Sequence, residues 1–208
     1  VALRPTTLLS SWIPVGIKVT PKSAFVACYD NQRISWTSSK ETTGEFECVA
    51  PADTISSILD VFKDQGIKVE TGRGRLRVTS KMITVSTMMP VEDDLPKLED
   101  VMEKVKAASK EAGDTKVVPK SVLTKFFDNA RSVLGKERAE IVADEGMTVQ
   151  SSTGKVTAKI EAGTFKIDYE FFVEAVSKAP PDVMLRVVGD SFLSVGTQVG
   201  SIIVAQNQ

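Results

Sequence analysis

Apolar and polar residues alternate along this chain in a block that recurs: a Val- or Ile-rich lead-in, an amphipathic helix of about three turns, then two or three short strands. The block is read in VAPADTISSILDVFKDQGIKVETGRGRLRVTSKMITVST (Val49 to Thr87), in VVPKSVLTKFFDNARSVLGKERAEIVADEGMTVQSSTGKVTAKI (Val117 to Ile160) and in FKIDYEFFVEAVSKAPPDVMLRVVGDSFLSVGTQVGSIIVAQ (Phe165 to Gln206). In the first of these, Ile55, Ile58, Leu59 and Phe62 keep helical spacing after a cap at Asp53 or Thr54, and Gly66 closes the helix. Strands are predicted at Ile67 to Glu70, Arg75 to Thr79 and Met82 to Ser86. In the second, Pro119 opens a helix with the stripe Val122, Leu123, Phe126, Phe127, Ala130 and Val133. In the third, Phe171, Phe172, Val173, Ala175 and Val176 form the stripe, Pro180-Pro181 stops the helix, and strands follow at Val183 to Val188, Phe192 to Val195 and Ser201 to Ala205.

Ahead of these, Gly16 to Glu47 alternates as a meander with turns at Pro21-Lys22, Asp30-Asn31 and Thr43-Gly44. It is the strand part of a fourth block. The helix before it, Pro5 to Trp12, is too short to match the others, so the first block is expected to be degenerate or missing its beginning. Between the second and third blocks, VEDDLPKLEDVMEKVKAASKEAGDTK is the one long charged run, yet Leu95, Leu98, Val101, Met102 and Val105 keep helical spacing, which predicts a connector containing a helix laid on a neighbouring surface. The expected layout is a first domain at 1–90, a connector at 91–116 and a second domain at 117–208.

Composition narrows the function. There is no histidine, which removes the commonest general base and the Ser-His and Cys-His nucleophile pairs. The triplet Glu92, Asp93 and Asp94 has the chemistry to hold Mg²⁺ in a nuclease, but its place ahead of a helix favours an electrostatic role at the helix start. The turn Thr71-Gly72-Arg73-Gly74 invites a phosphate-loop reading, and the absence of a following helix favours a hairpin. Cys28 and Cys48, without a CxxC pattern, read as buried thiols. Net charge is −1 and no apolar run has the length of a membrane span. The opening VALRPTTLLSSW lacks the layout of a signal peptide, which predicts an intracellular protein. No catalytic residue, metal or cofactor is expected.

The tandem β-α-β-β-β unit resembles the half-domain of the DNA sliding clamps. The resemblance is carried by ECVAPADTISSILDVF with GIKVETGRGRLRVTSKMITVSTMMPVEDDLP, and by the terminal block from Phe165. It implies an α+β clamp fold with two domains per chain, helices lining a ring and antiparallel sheets outside. Six domains close such a ring, so it further implies a homotrimer of phage type in the host cytoplasm, acting without catalysis as a processivity factor. The implied partners are double-stranded DNA bound without regard to sequence, a DNA polymerase and a clamp loader. Cations off the apolar stripes are the implied DNA contacts: Lys120, Lys125, Arg131 and Lys136 around the third helix, Lys63 by the second, Lys178 on the fourth and Arg4 on the first. Asp60, Asp128, Glu170 and Glu174 oppose a strongly basic lumen. A partner-peptide pocket is implied beside Met88, Met89 and Val91, and beside Ile202, Ile203, Val204 and Ala205. The alternative is a clamp-like accessory protein that binds replication or transcription proteins without encircling DNA.

Overall fold

A computed structural model describes residues 14–29, 33–40, 44–62, 65–88, 97–110, 115–135, 137–188, 192–196 and 200–205. The expected helix at Pro5 to Trp12, the Asp30-Asn31 turn and the triplet at Glu92, Asp93 and Asp94 lie outside them. The chain divides into two compact units, Val1–Met102 and Glu103–Gln208. The division falls inside a helix.

The first unit holds β1 (Pro14–Thr20), β2 (Ser23–Tyr29), β3 (Arg33–Ser39), β4 (Phe46–Pro51), α1 (Ala52–Val61), β5 (Lys68–Gly72), β6 (Arg75–Thr79) and β7 (Thr84–Met88), followed by the start of α2 (Leu98–Lys110). The second holds β8 (Thr115–Pro119), α3 (Lys120–Leu134), β9 (Glu140–Ala143), β10 (Met147–Gln150), β11 (Lys155–Ala158), β12 (Phe165–Asp168), α4 (Tyr169–Lys178), β13 (Asp182–Val188), β14 (Phe192–Gly196) and β15 (Gly200–Ala205). Within the units, the pairings among the described residues are antiparallel.

Strand exchange ties the repeats together. In the second unit the order β15-β14-β13-β8 places the lead strand of the α3 block on the first strand after α4, and β11-β10-β9-β12 places the lead strand of the α4 block on the first strand after α3. In the first unit β4 takes the corresponding place in β3-β2-β1-β4, and the second sheet is β7-β6-β5. The inward-facing row Val69, Val78 and Val85 crosses that sheet at matched register and joins a core of Val15, Val26, Cys28, Cys48, Ala50, Ile55, Ile58 and Phe62. In the second unit Leu123, Ile141, Met147, Ile167, Phe172, Val183, Leu185 and Leu193 are sealed from water.

Each of the three helices α1, α3 and α4 is entered directly from its lead strand. Pro51 (φ −57°, ψ 142°), Pro119 (φ −58°, ψ 129°) and Asp168 (φ −63°, ψ 132°) make the same turn from strand to helix. A proline ring fixes φ near this value, which favours that junction without a loop. This overturns the cap expected at Asp53 or Thr54: α1 starts at Ala52, has no side-chain cap, and leaves Asp53 inside the first turn, where its charge suits the helix dipole. Its end is at Phe62 rather than at Gly66. Only Asp168 caps with its side chain, accepting from the backbone N–H of Glu170 (3.0 Å) and Phe171 (3.4 Å). The stripe of α3 also differs from expectation at its flanks: Val122 and Val133 are exposed, and Leu134 is buried in their stead with Leu123, Phe126, Phe127 and Ala130.

The Arg73-Gly74 turn has positive φ at both residues (52° and 70°) between the partners Gly72 and Arg75, the mirror-image two-residue turn that suits strand twist. GRGR is a hairpin.

The first turn of α2 lies on the face of β1 opposite the Val15 and Ile17 side. Leu98 and Val101 are buried, and a Cβ placed on Gly16 would lie 2.5 Å from Leu98 Cδ1. Beside them Lys18 Nζ bridges Glu47 (2.6 Å) and Glu99 (2.9 Å). The hydrogen bond to Glu47, with that to Glu99, holds the Lys18 ammonium well above the usual lysine range, and the Lys18 partner holds Glu99 below the usual carboxylate range. Any stability from the lowered Glu99 is present above its unfolded value and fades as pH falls through its folded one.

Cys28 and Cys48 are free and buried, and burial pushes both thiols up to about 12. The thiolate is the reactive form. Neither cysteine therefore reacts with a chromogenic disulfide reagent in the folded protein at pH 8, and both do so in strong denaturant; labelling of the native protein at the rate of free cysteine would contradict this assignment.

Candidate nucleic-acid interface

The polar faces of the helices decide what each can touch. Within its bounds α1 carries Asp53 and Asp60 and no cation, a net of −2. On α4, Glu170 and Glu174 stand against Lys178, a net of −1. On α3, Lys120, Lys125 and Arg131 stand against Asp128, a net of +2. Of these three, only α3 carries a net positive charge.

Along its outer side runs an open groove of about 550 Å³ lined by Lys120, Ser121, Thr124, Lys125, Asp128 and Pro181. It borders the first turn of α3, which has no side-chain cap and where the positive end of the helix dipole favours anions. Two hydroxyls and the exposed Lys125 ammonium add donors, while the Asp128 carboxylate limits the attraction. A surface of this kind has the donors to attract phosphate oxygens weakly.

The structure gives the expected DNA-facing cations different tasks. Lys125 and Arg131 are exposed on α3, and Lys178 is exposed at the end of α4. Lys120 is half-buried and occupied: its Nζ donates to the carbonyls of Ser177 (2.7 Å) and Ala179 (3.0 Å), and its backbone N–H donates to Pro181 O (2.7 Å). It serves as a tether for the carbonyl end of α4, a role that depends on tertiary packing. Arg4, Lys63 and Lys136 lie outside the described residues. Replacing Lys120 with Met removes two charge-assisted bonds at a partly wetted site, and we expect a loss of about 1 kcal/mol; an unchanged urea midpoint would remove the tether.

Of the expected peptide-pocket residues, Met88 is exposed on β7 opposite Arg75, whereas Ile202 and Val204 are inside the core of the second unit and offer no surface. That correction follows from the pleat: alternate residues of β15 face the core. Met89 and Val91 lie outside the described residues, as do the side chains of Ile203 and Ala205. An apolar pair not expected from the sequence stands on the outer side of the same sheet, where Val117 (60% exposed) and Met184 (48%) are direct cross-strand partners on β8 and β13. The consecutive Val117 and Val118 held a signal for it, since successive strand residues face opposite ways and only Val118 is buried.

Comparison with solved structures identifies the architecture. The chain is similar to the DNA polymerase III β subunit of Thermotoga maritima (16% identity, TM-score 0.69, covering 95% of this chain and 58% of that one). It is similar also to the Helicobacter pylori β clamp bound to a DNA ligase peptide (15%, 0.66, 98% and 59%) and to the Streptococcus pneumoniae DNA polymerase III β chain (13%, 0.69, 94% and 56%). The chain spans about three-fifths of the length of these proteins. No protein-family model and no curated sequence matches it. At these identities the likeness establishes the fold: α+β, with the tandem units of the sliding clamps.

Proposed function

We infer that the chain works as a DNA sliding clamp, a non-catalytic processivity factor that encircles duplex DNA and holds a polymerase to it. The observation that carries this reading is the pair of units built from exchanged β-α-β-β-β blocks, matched along nearly the whole chain by solved clamps. Edge strands β7 and β11 each have one ladder neighbour among the described residues, so copies can join head to tail through them, and six units would close as a homotrimer. In that ring α3 is the helix that meets phosphates. Loading requires a partner that opens the ring, and exposed Met88 offers a soft anchor point for a partner peptide.

The test is topological. On a nicked circular plasmid the loaded protein is retained through gel filtration and is lost once the plasmid is linearised, while light scattering gives three chains per particle. A monomer at micromolar concentration with no preference for circles would leave the second reading, an accessory protein bound to replication or transcription proteins. The acidic faces of α1 and α4 are the observation that favours that second reading.

Charge reversal separates the two further. Lys125→Glu with Arg131→Glu should weaken binding to short duplexes about tenfold or more at low salt and flatten the salt dependence by about one for every phosphate no longer neutralised. Equal affinities of both proteins across a salt titration would remove α3 from the interface.

A further inference from the structure

The β5-β6-β7 sheet of the first unit gathers positive charge on one face. Its inward row of valines fixes the opposite side, where the alternation of the strands places Lys68, Glu70, Arg75, Arg77 and Met88 in solvent. Arg73 at one turn and Lys81 at the other extend the set at either end, and both are exposed. From Lys68 to Met88 there are five cations and one carboxylate, a net of +4 in a chain whose net charge is −1, so the remaining residues carry −5. Composition alone does not produce such a patch. Lys68 Nζ is held by Glu70 (2.6 Å), whereas Arg73, Arg75, Arg77 and Lys81 make no ion pair among the described residues.

Two exposed methionines bracket these cations. Met88 (63% exposed) is the direct cross-strand partner of Arg75, and Met82 (91%) follows Lys81 in the turn between β6 and β7. An extended chain covers the interval between them, roughly 20 Å, in about six residues. Ser80 fixes that turn, its hydroxyl accepting from the backbone N–H of Met82 (3.3 Å) and of Ile83 (3.2 Å). Each end of the face thus offers a ligand a soft apolar contact beside a charge. A phosphate backbone makes no use of the apolar half, and no aromatic residue lies between Lys68 and Met88 on which the bases of a single strand could stack. An acidic peptide that also carries apolar residues uses both halves, because the guanidinium fork matches a carboxylate with two parallel donors.

We propose that the outer face of the β5-β6-β7 sheet is a docking surface for an acidic, extended segment of a partner protein, with two apolar residues about six positions apart seated at Met88 and Met82 and carboxylates between them reaching Arg75 and Arg77. Glu70, directly opposite Arg77, is the one carboxylate on the face and works against the same ligand. The charges govern encounter and register, and the methionines adapt to apolar side chains of differing shape. The face is complete within the first unit, so the inference goes beyond the clamp reading and holds whether or not the chain closes a ring.

The probe is a fluorescein-labelled peptide, Ser-Leu-Glu-Asp-Glu-Asp-Glu-Leu-Ser, titrated with the full chain and followed by anisotropy. Arg75→Gln with Arg77→Gln should weaken its binding about tenfold, and added salt should weaken binding to the native protein. Met88→Ser should cost about threefold. Glu70→Gln should tighten binding about threefold, a gain that damage to the fold cannot produce. Absence of saturable binding by the native protein overturns the proposal, and so does equal affinity for the native protein and the arginine variant. A short single-stranded or duplex oligonucleotide that displaces the peptide, and whose own binding is lost in the arginine variant but kept in Met88→Ser, also overturns it, by making the face a nucleic-acid surface.

Discussion

Replacing Phe172 with alanine should cost about 3–5 kcal/mol, the largest loss expected from any single truncation in the second unit. The ring is fully buried and sits between Phe127 and Phe165, each with its centroid 5.6 Å away, Phe127 edge-on. Phe127 in turn meets Tyr169 at 90°, and the Tyr169 hydroxyl donates to Phe127 O at 3.1 Å. Removing Phe172 therefore opens a cavity where both helices and β12 meet, and few of its neighbours can fill it. Because domains of this size are stable by only about 5–15 kcal/mol, the loss is a large share of the total. Hydrogen exchange resolved by peptide is the suitable readout, since the two units need not unfold together. Protection should collapse in α3, α4 and β12 and persist in β1, β2 and β4. Phe171→Ala, at the half-buried neighbouring position, should cost less than half as much. Equal effects of the two would mean that the aromatic cluster is not the centre of this core.

The second large effect is expected at Gly16. A Cβ there meets Leu98 Cδ1 at 2.5 Å and Tyr29 Cε1 at 3.1 Å, so Gly16→Val must displace the first turn of α2 or push β1 from its neighbours. Overpacking of this kind costs about 1–3 kcal/mol. The leucine end is the softer side, and α2 should yield first. Limited proteolysis should then cut faster at Lys104 and Lys106 of α2 while β1 and β2 stay protected. Combining Gly16→Val with Leu98→Ala supplies the control: if the valine acts by displacing Leu98, the double variant loses less than the sum of the two single ones. Strict additivity would show that the clash lies elsewhere.

The patterns that were legible in the sequence are those in which neighbouring residues decide the outcome. Alternation located β6 at its true bounds, and the lack of a helix after Thr71-Gly72-Arg73-Gly74 pointed to a hairpin, whose two-residue turn is narrower than that stretch, at Arg73-Gly74. The stripes of α3 and α4 named most of their buried residues. What escaped depends on distant partners. The start of α1 departs from the side-chain cap that its sequence suggests because a proline junction makes the turn. Lys120 looked like any other cation off the stripe, and only the approach of the α4 carbonyls, more than fifty positions away, gives it a structural task. Likewise Ile202 and Val204 read as apolar and near the chain's end, and it is the pleat of β15 that puts them inside. The exchange of lead strands has no local signature, since it pairs segments from different repeats.

The loop-free passage from strand to helix at Pro51, Pro119 and Asp168 also limits how this chain can change. Adding one residue at such a junction rotates everything after it by about 100° around the helix axis. An insertion there would carry Leu123 and Phe126 toward solvent and bring charged residues against the sheets, with no slack segment to absorb the turn. Length variation should consequently accumulate in the strand-to-strand turns, while point substitutions remain free to repaint the exposed faces of the helices. Ancestry would then survive in the spacing of these junctions long after it has faded from the residues between them.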